Sequence, residues 1–265
     1  MKTLTFSPKP NPQGIPLGAI SRNTRHRPRQ AKCDVFRWTT VMQGYLCQKG
    51  ISFANNGMPQ IPEACFLTDI PEDCDMLPIT KRWFSPSKSK TILCGFEKDE
   101  CIYSHVRPII AALEKGDEQA LERILSPYRQ FLAVCGFDFS VCRNSSSEEQ
   151  AMFLLLSQLV NAVFAVNGIR LVANFRLGTL ENLEITRNFP RRVVYATGTL
   201  GCHDRYHSIG EVSLRARILI LQPAMLLIYG PLQRRYSEIL DDAGVVYKNF
   251  TDYRRRTHKV QKEVK

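Results

Sequence analysis

The chain has 265 residues, 44% of them apolar and 23% charged, with a net charge of +11. That balance belongs to a core-forming globular protein, one large domain or one core with appendages. No apolar run is read as reaching the roughly 18 to 20 residues that span a bilayer. The opening MKTLTFSPKPNPQGIP lacks the apolar stretch of a secretory signal. The expectation is therefore a cytoplasmic protein without a membrane partner.

The charge is unevenly placed. Residues 1–32 carry Lys2, Lys9, Arg22, Arg25, Arg27, Arg29 and Lys32 and no acid, a charge of +7. Residues 248–265 carry seven Lys and Arg against Asp252 and Glu263, a charge of +5, which leaves −1 for residues 33–247. Basic ends on a neutral body suit a phosphate backbone, because each neutralised phosphate releases counterions. Solvated ends that only aid solubility are the plainer alternative. The expected nucleic-acid contacts are Arg22, Arg25, Arg27 and Arg29 in the first arm, and Arg254, Arg255, Arg256 and Lys259 in the second.

Four regions are expected in order. Residues 1–32, rich in Pro, Gly, Asn and Arg, read as a basic arm. Residues 33–90 read as a wrapping segment. It opens on a short helix over 33–50, with Phe36, Thr40, Met42 and Leu46 at loosely helical spacing. It then runs as loops through Pro59, Pro62, Pro71, Pro78 and Pro86. Residues 91–250 read as the core, and 251–265 as a basic tail.

Within the core, strands alternate with helices. Strands are expected over 91–96, 130–137, 169–175, 192–196, 224–229 and 245–247. Helices are expected over 106–125, with Pro108 in the first turn, and over 147–167, 211–222 and 233–243. Ser145 and Ser146 each precede a Glu by three residues, a capping-box spacing at the second of these helices. The fold class is therefore α/β, a mostly parallel sheet of about six strands with covering helices, either an open sheet or a partial barrel.

Right-handed crossovers would set every strand's C-terminal end on one side, where ligands bind such sheets. That side collects Glu97, Asp99, Asp138, Ser140, Asn174, Arg176, Thr197, Thr199, Tyr229 and Gly230. Asp138 and Arg176 are the catalytic candidates, as general base or metal ligand and as anion clamp. An internal ion pair between them is the architectural alternative. Ser140, Asn174, Thr197, Gly198, Thr199, Tyr229 and Gly230 are the ligand-binding candidates. The loop Thr197-Gly198-Thr199-Leu200-Gly201 is neither a Walker A loop nor GxGxxG. His203 and His207 share helical spacing but lack the Glu of HExxH. The nine cysteines include no CxxC, so reduced thiols are expected rather than a disulfide frame or a metal site. No pattern names a cofactor.

The stretch from about Phe131 to Phe250 resembles the domain-of-unknown-function family 4417. The likeness rests on Asp138-Phe139-Ser140, on Gly168 followed by Asn174-Phe175-Arg176, on Thr197-Gly198-Thr199-Leu200-Gly201, and on Leu221-Gln222-Pro223 leading to Tyr229-Gly230. Leu177, Ala173 and Gln158 stand where that family usually has Trp, Pro and Arg. The resemblance implies a phage or mobile-element setting, with protein partners there, and no established activity. Two functions are therefore expected in competition: nucleic-acid binding through the basic ends, or a hydrolase or transferase acting on a phosphate-bearing substrate at the strand ends.

Overall fold

A computed structural model of the protein describes residues 28–139, 146–176, 182–198 and 207–257. Seven strands form one sheet in sequential order, every neighbouring pair parallel: β1 (Asp75–Pro78), β2 (Thr91–Gly95), β3 (Ala133–Phe137), β4 (Leu171–Asn174), β5 (Val194–Gly198), β6 (Met225–Tyr229) and β7 (Tyr247–Phe250). Sequential parallel strands joined by right-handed crossovers place all helices on one face. The opposite face must then bury itself by curling, and the sheet is nearly a barrel.

The core divides accordingly. On the outer face, Val134, Leu171, Tyr195, Leu226 and Ile228 pack against helices. On the inner face, Met76, Ile92, Cys94, Ala133, Cys135, Val172, Ala196, Leu227, Tyr229 and Phe250 pack against one another with no helical residue among them. Side chains alternate between the two faces along each strand, so both sets come from the same short runs. Small residues (Cys94, Ala133, Cys135, Ala196) let the walls approach. Leu67 enters from below, where its N–H donates to the Leu171 carbonyl at 2.8 Å and its carbonyl accepts from Val194 at 2.7 Å.

The helices are α1 (Pro28–Gln48), α2 (Asp99–Lys115), α3 (Glu118–Arg129), α4 (Ser147–Val166), α5 (Leu183–Thr186), α6 (His207–Leu221) and α7 (Arg234–Asp242). Four expectations change. The sheet has a seventh strand, β1, inside the stretch expected to run as loops. It lies at the sheet edge, where Pro78 and its missing N–H are tolerated. The single helix expected over 106–125 is two. Gly116, left-handed at φ 62°, ends α2, and the Asp117 side chain caps α3 by accepting from the Ala120 N–H at 2.8 Å. The first helix begins at Pro28, and its buried stripe is Val35, Trp38, Met42 and Leu46, while Thr40 is exposed. Finally, α4 is long and apolar enough to cross a bilayer by length and composition, although Glu148, Glu149, Gln150, Gln158 and Asn161 break up its apolar run. It is almost wholly buried, packed on α1 and the sheet.

Candidate functional site

Asp138 leaves β3 through a bulge. Gly95 pairs with Phe137 while Cys94 pairs with Cys135, so Gly136 is an extra residue in the ladder. The bulge sits beneath α4, where buried Asn161 fills the space above Gly136. A Cβ at that position would lie 1.7 Å from the Asn161 Oδ1. Past the bulge, the Asp138 N–H donates to the Gly95 carbonyl at 3.3 Å.

The neighbouring parallel strand supplies both partners of the carboxylate. Asn174 ends β4 and Arg176 lies two residues on, so both side chains are on one side of the chain. Asn174 Nδ2 donates to Asp138 Oδ1 at 3.1 Å, and the Arg176 guanidinium lies 3.1 Å from Oδ2. The Asp138 side chain is 11% exposed and that of Arg176 24%. Arg217 of α6 braces the segment by donating to the Phe175 carbonyl at 2.9 Å. The two catalytic candidates thus meet each other at a partly covered rim. Ser140 and Thr199 lie outside the described residues, as do His203 and the side chain of His207.

The other ligand-binding candidates are spread along the rim. Phe96 projects from the end of β2 across the interior. A Cβ on Gly198 would come within 2.9 Å of its ring, and its centroid lies 6.4 Å from that of Tyr229. The Tyr229 hydroxyl accepts from the Tyr253 N–H at 2.9 Å, and burial raises its pKa far above the usual tyrosine value. Gly230 donates to the Phe250 carbonyl at 2.8 Å. Thr197, partly buried, pairs in register with Ile228 of β6. Asn174 and Tyr229 are therefore engaged in hydrogen bonds along the rim, and Gly198 packs closely under Phe96.

A second polar group caps β1 and β2. Thr80 Oγ1 donates to Glu97 Oε1, and burial pushes the Glu97 carboxyl above its ordinary value despite Lys81 and Arg82 nearby. Behind it, His105 stacks on Phe137 with ring centroids 6.0 Å apart, and its Nδ1 lies 3.3 Å from the Tyr128 hydroxyl. Burial, then the Arg82 charge, holds His105 below the usual histidine value.

The basic C-terminal run divides between structure and surface. Arg256 binds the Asp75 carboxylate at 2.7 and 3.0 Å and the Met76 carbonyl. Arg255 pairs with buried Asp252 at 3.3 Å, and Arg254 is exposed. Arg256 is thus a fold contact rather than the outward-facing cation the sequence suggested. Arg22, Arg25, Arg27, Lys259 and the side chain of Arg29 lie outside the described residues.

Sequence reasoning missed two features. One is a buried amide pair, Asn182 Nδ2 donating to Gln150 Oε1 at 3.2 Å, which ties the chain after β4 to the start of α4. No local pattern announces it. The other is an exposed aromatic patch. Trp83 and Phe84 are 68% and 63% exposed, and the Arg82 guanidinium sits 4.4 Å from the Trp83 ring. The Phe84 and Tyr253 rings are 5.8 Å apart, with Lys81 Nζ 5.6 Å from Tyr253. The string Lys81-Arg82-Trp83-Phe84 is the sequence signal for this patch.

Two clefts, of about 500 and 640 Å³, lie elsewhere: one between α1 and the α2–α3 turn, the other below the N-terminal ends of β4 and β5. Among the described residues, no group of three or more His, Cys, Asp or Glu side chains is placed to hold a metal ion.

The fold defines an α/β protein with a nearly closed parallel sheet whose C-terminal strand ends carry Asp138, Asn174, Gly198 and Tyr229. No family model, curated protein or solved structure matches the chain.

Proposed function

We propose that the protein binds nucleic acid through its basic ends, with the α/β body as scaffold. The charge separation carries this reading: +7 and +5 on the two ends against −1 on the body. Such ends gain from releasing the counterions condensed on a phosphate backbone. The described part of the C-terminal run supports it. Asp252, Tyr229 and Arg256 hold residues 253–257 against the sheet rim, leaving Arg254 exposed in the same run as Tyr253, whose ring Lys81 approaches. The resemblance to family 4417 would add a phage or mobile-element setting, with protein partners there. A hydrolase or transferase centred on Asp138 and Arg176 draws less support, because those groups neutralise each other and Asn174 occupies the second carboxylate oxygen.

Removing residues 1–27 and 258–265 deletes cations while leaving every described strand and helix in place. At about 50 mM salt, the shortened chain should bind mixed-sequence DNA or RNA at least about tenfold more weakly than the full chain. Equal affinity, or no binding by the full chain, would contradict the proposal.

A further inference from the structure

We infer that Trp83, Phe84 and Tyr253 form a stacking platform for unpaired bases, so that the nucleic acid taken at the β1–β7 edge is single-stranded. This inference rests on the nucleic-acid reading above and deepens it.

The platform is assembled from two distant parts of the chain. The 3₁₀ turn Ile79–Phe84 follows edge strand β1, and residues 253–257 follow β7 at the sheet's other edge. The near closure of the barrel brings them together. Scattered single apolar residues on a surface are ordinary, but two adjacent aromatics each more than 60% exposed are not. The Arg82 guanidinium lies over the Trp83 ring, and Phe84 leans on Tyr253.

The surrounding charge selects the occupant. Residues 79–90 hold Lys81, Arg82, Lys88 and Lys90, of which Lys90 pairs with Asp73, and residues 253–257 add exposed Arg254, while Arg255 and Arg256 pair with Asp252 and Asp75. Aromatic faces interleaved with cations match a strand of unpaired nucleotides, whose bases present flat π-faces and whose backbone is anionic. A duplex hides its base faces inside the stack and offers this surface only phosphate. A second copy of the chain would bring the same cations against themselves.

The test uses the full chain at low salt with an oligonucleotide of about 12 unpaired nucleotides and a duplex of the same length. Trp83→Ala should weaken single-strand binding about tenfold and leave duplex binding unchanged. Binding of the single strand should quench Trp83 emission. Trp83→Phe should keep the affinity within a few-fold and lose that quench, since Trp38, the other tryptophan, is buried. Equal affinity for both forms with no effect of Trp83→Ala would overturn this inference and leave the nucleic-acid reading standing. Absence of binding to either form would overturn both. Self-association abolished by Trp83→Ala, with single-strand affinity unchanged, would assign the patch to a second copy and overturn the inference.

Discussion

Arg256 holds the open seam of the barrel by donating from Nη1 to both Asp75 carboxylate oxygens and from Nη2 to the Met76 carbonyl. Asp75 opens edge strand β1 and Arg256 lies in the helical turn after edge strand β7, and among the described residues no backbone pairing joins β7 to β1. Lys248 adds a second tie by donating to the carbonyls of Glu72 and Cys74. Side chains here perform the closure that a ladder performs in a complete barrel. Arg256→Ala should therefore destabilise the fold by about 1.5–3 kcal/mol, the range for hydrogen bonds to charged groups. Urea unfolding measures the loss. Amide exchange should quicken in β1 and β7 before β3 and β4, whereas uniform quickening would contradict a seam role.

Gly136 is fixed by Asn161 rather than by its own backbone. Gly136→Ala drives a methyl into the Asn161 amide and should cost about 1–3 kcal/mol. Adding Asn161→Ala should recover part of that loss, because the new methyl then enters the vacated space. Additive losses in thermal or urea unfolding would show that the two sites do not share that volume.

The Asp138–Arg176 pair should behave as architecture. Arg176→Ala leaves a nearly buried carboxylate with Asn174 as its remaining described partner and should cost about 1–3 kcal/mol. Asp138→Asn combined with Arg176→Ala should cost less than the sum of the single changes. A strictly additive double-mutant cycle in urea unfolding would deny the coupling.

Glu97 gives the pH dependence a definite sign. Its folded pKa lies above the ordinary 4.5, so the folded state keeps a proton that the unfolded state has lost. Stability should fall as pH rises from 4.5 through the raised value and then level off. Glu97→Gln should flatten this fall, so its advantage over the parent grows across that window and then plateaus. Urea midpoints measured at successive pH values check this, and parallel curves for the two proteins would refute it.

Cysteine labelling should follow the barrel. Cys47 is exposed, whereas Cys94 and Cys135 face the interior, where burial raises their thiol pKa values far above normal. Burial also pushes Cys74 up to about 11. Peptide mapping after brief treatment with a thiol reagent at neutral pH should find Cys47 modified and these three protected until the chain unfolds. Rapid labelling of Cys94 in the native protein would mean that the interior opens locally.

The strand–helix alternation was legible because strands buried on both faces are continuous apolar runs, as in Ala133–Phe137 and Met225–Tyr229. β1 was not, because Asp75–Pro78 is four residues long and lies among prolines. The break at Gly116-Asp117 was written in the sequence as a stop followed by a cap, but the apolar spacing on either side suggested one continuous helix. The meeting of Asp138 with Arg176 followed from parallel order, which sets the ends of consecutive strands side by side. The meeting of Phe84 with Tyr253 did not. It depends on curling of the whole sheet, to which no local pattern points. Arg256 reads as an outward-facing cation for the same reason: its partner Asp75 is 181 residues away, on a four-residue edge strand that no local pattern marks.

The most direct test of nucleic-acid binding through the basic ends is the affinity of the full chain for a single-stranded oligonucleotide between about 50 and about 200 mM salt. The account predicts a steep linear fall of log affinity with log salt concentration, shallower once residues 1–27 and 258–265 are removed. A flat salt dependence, or a slope unchanged by that removal, would contradict it.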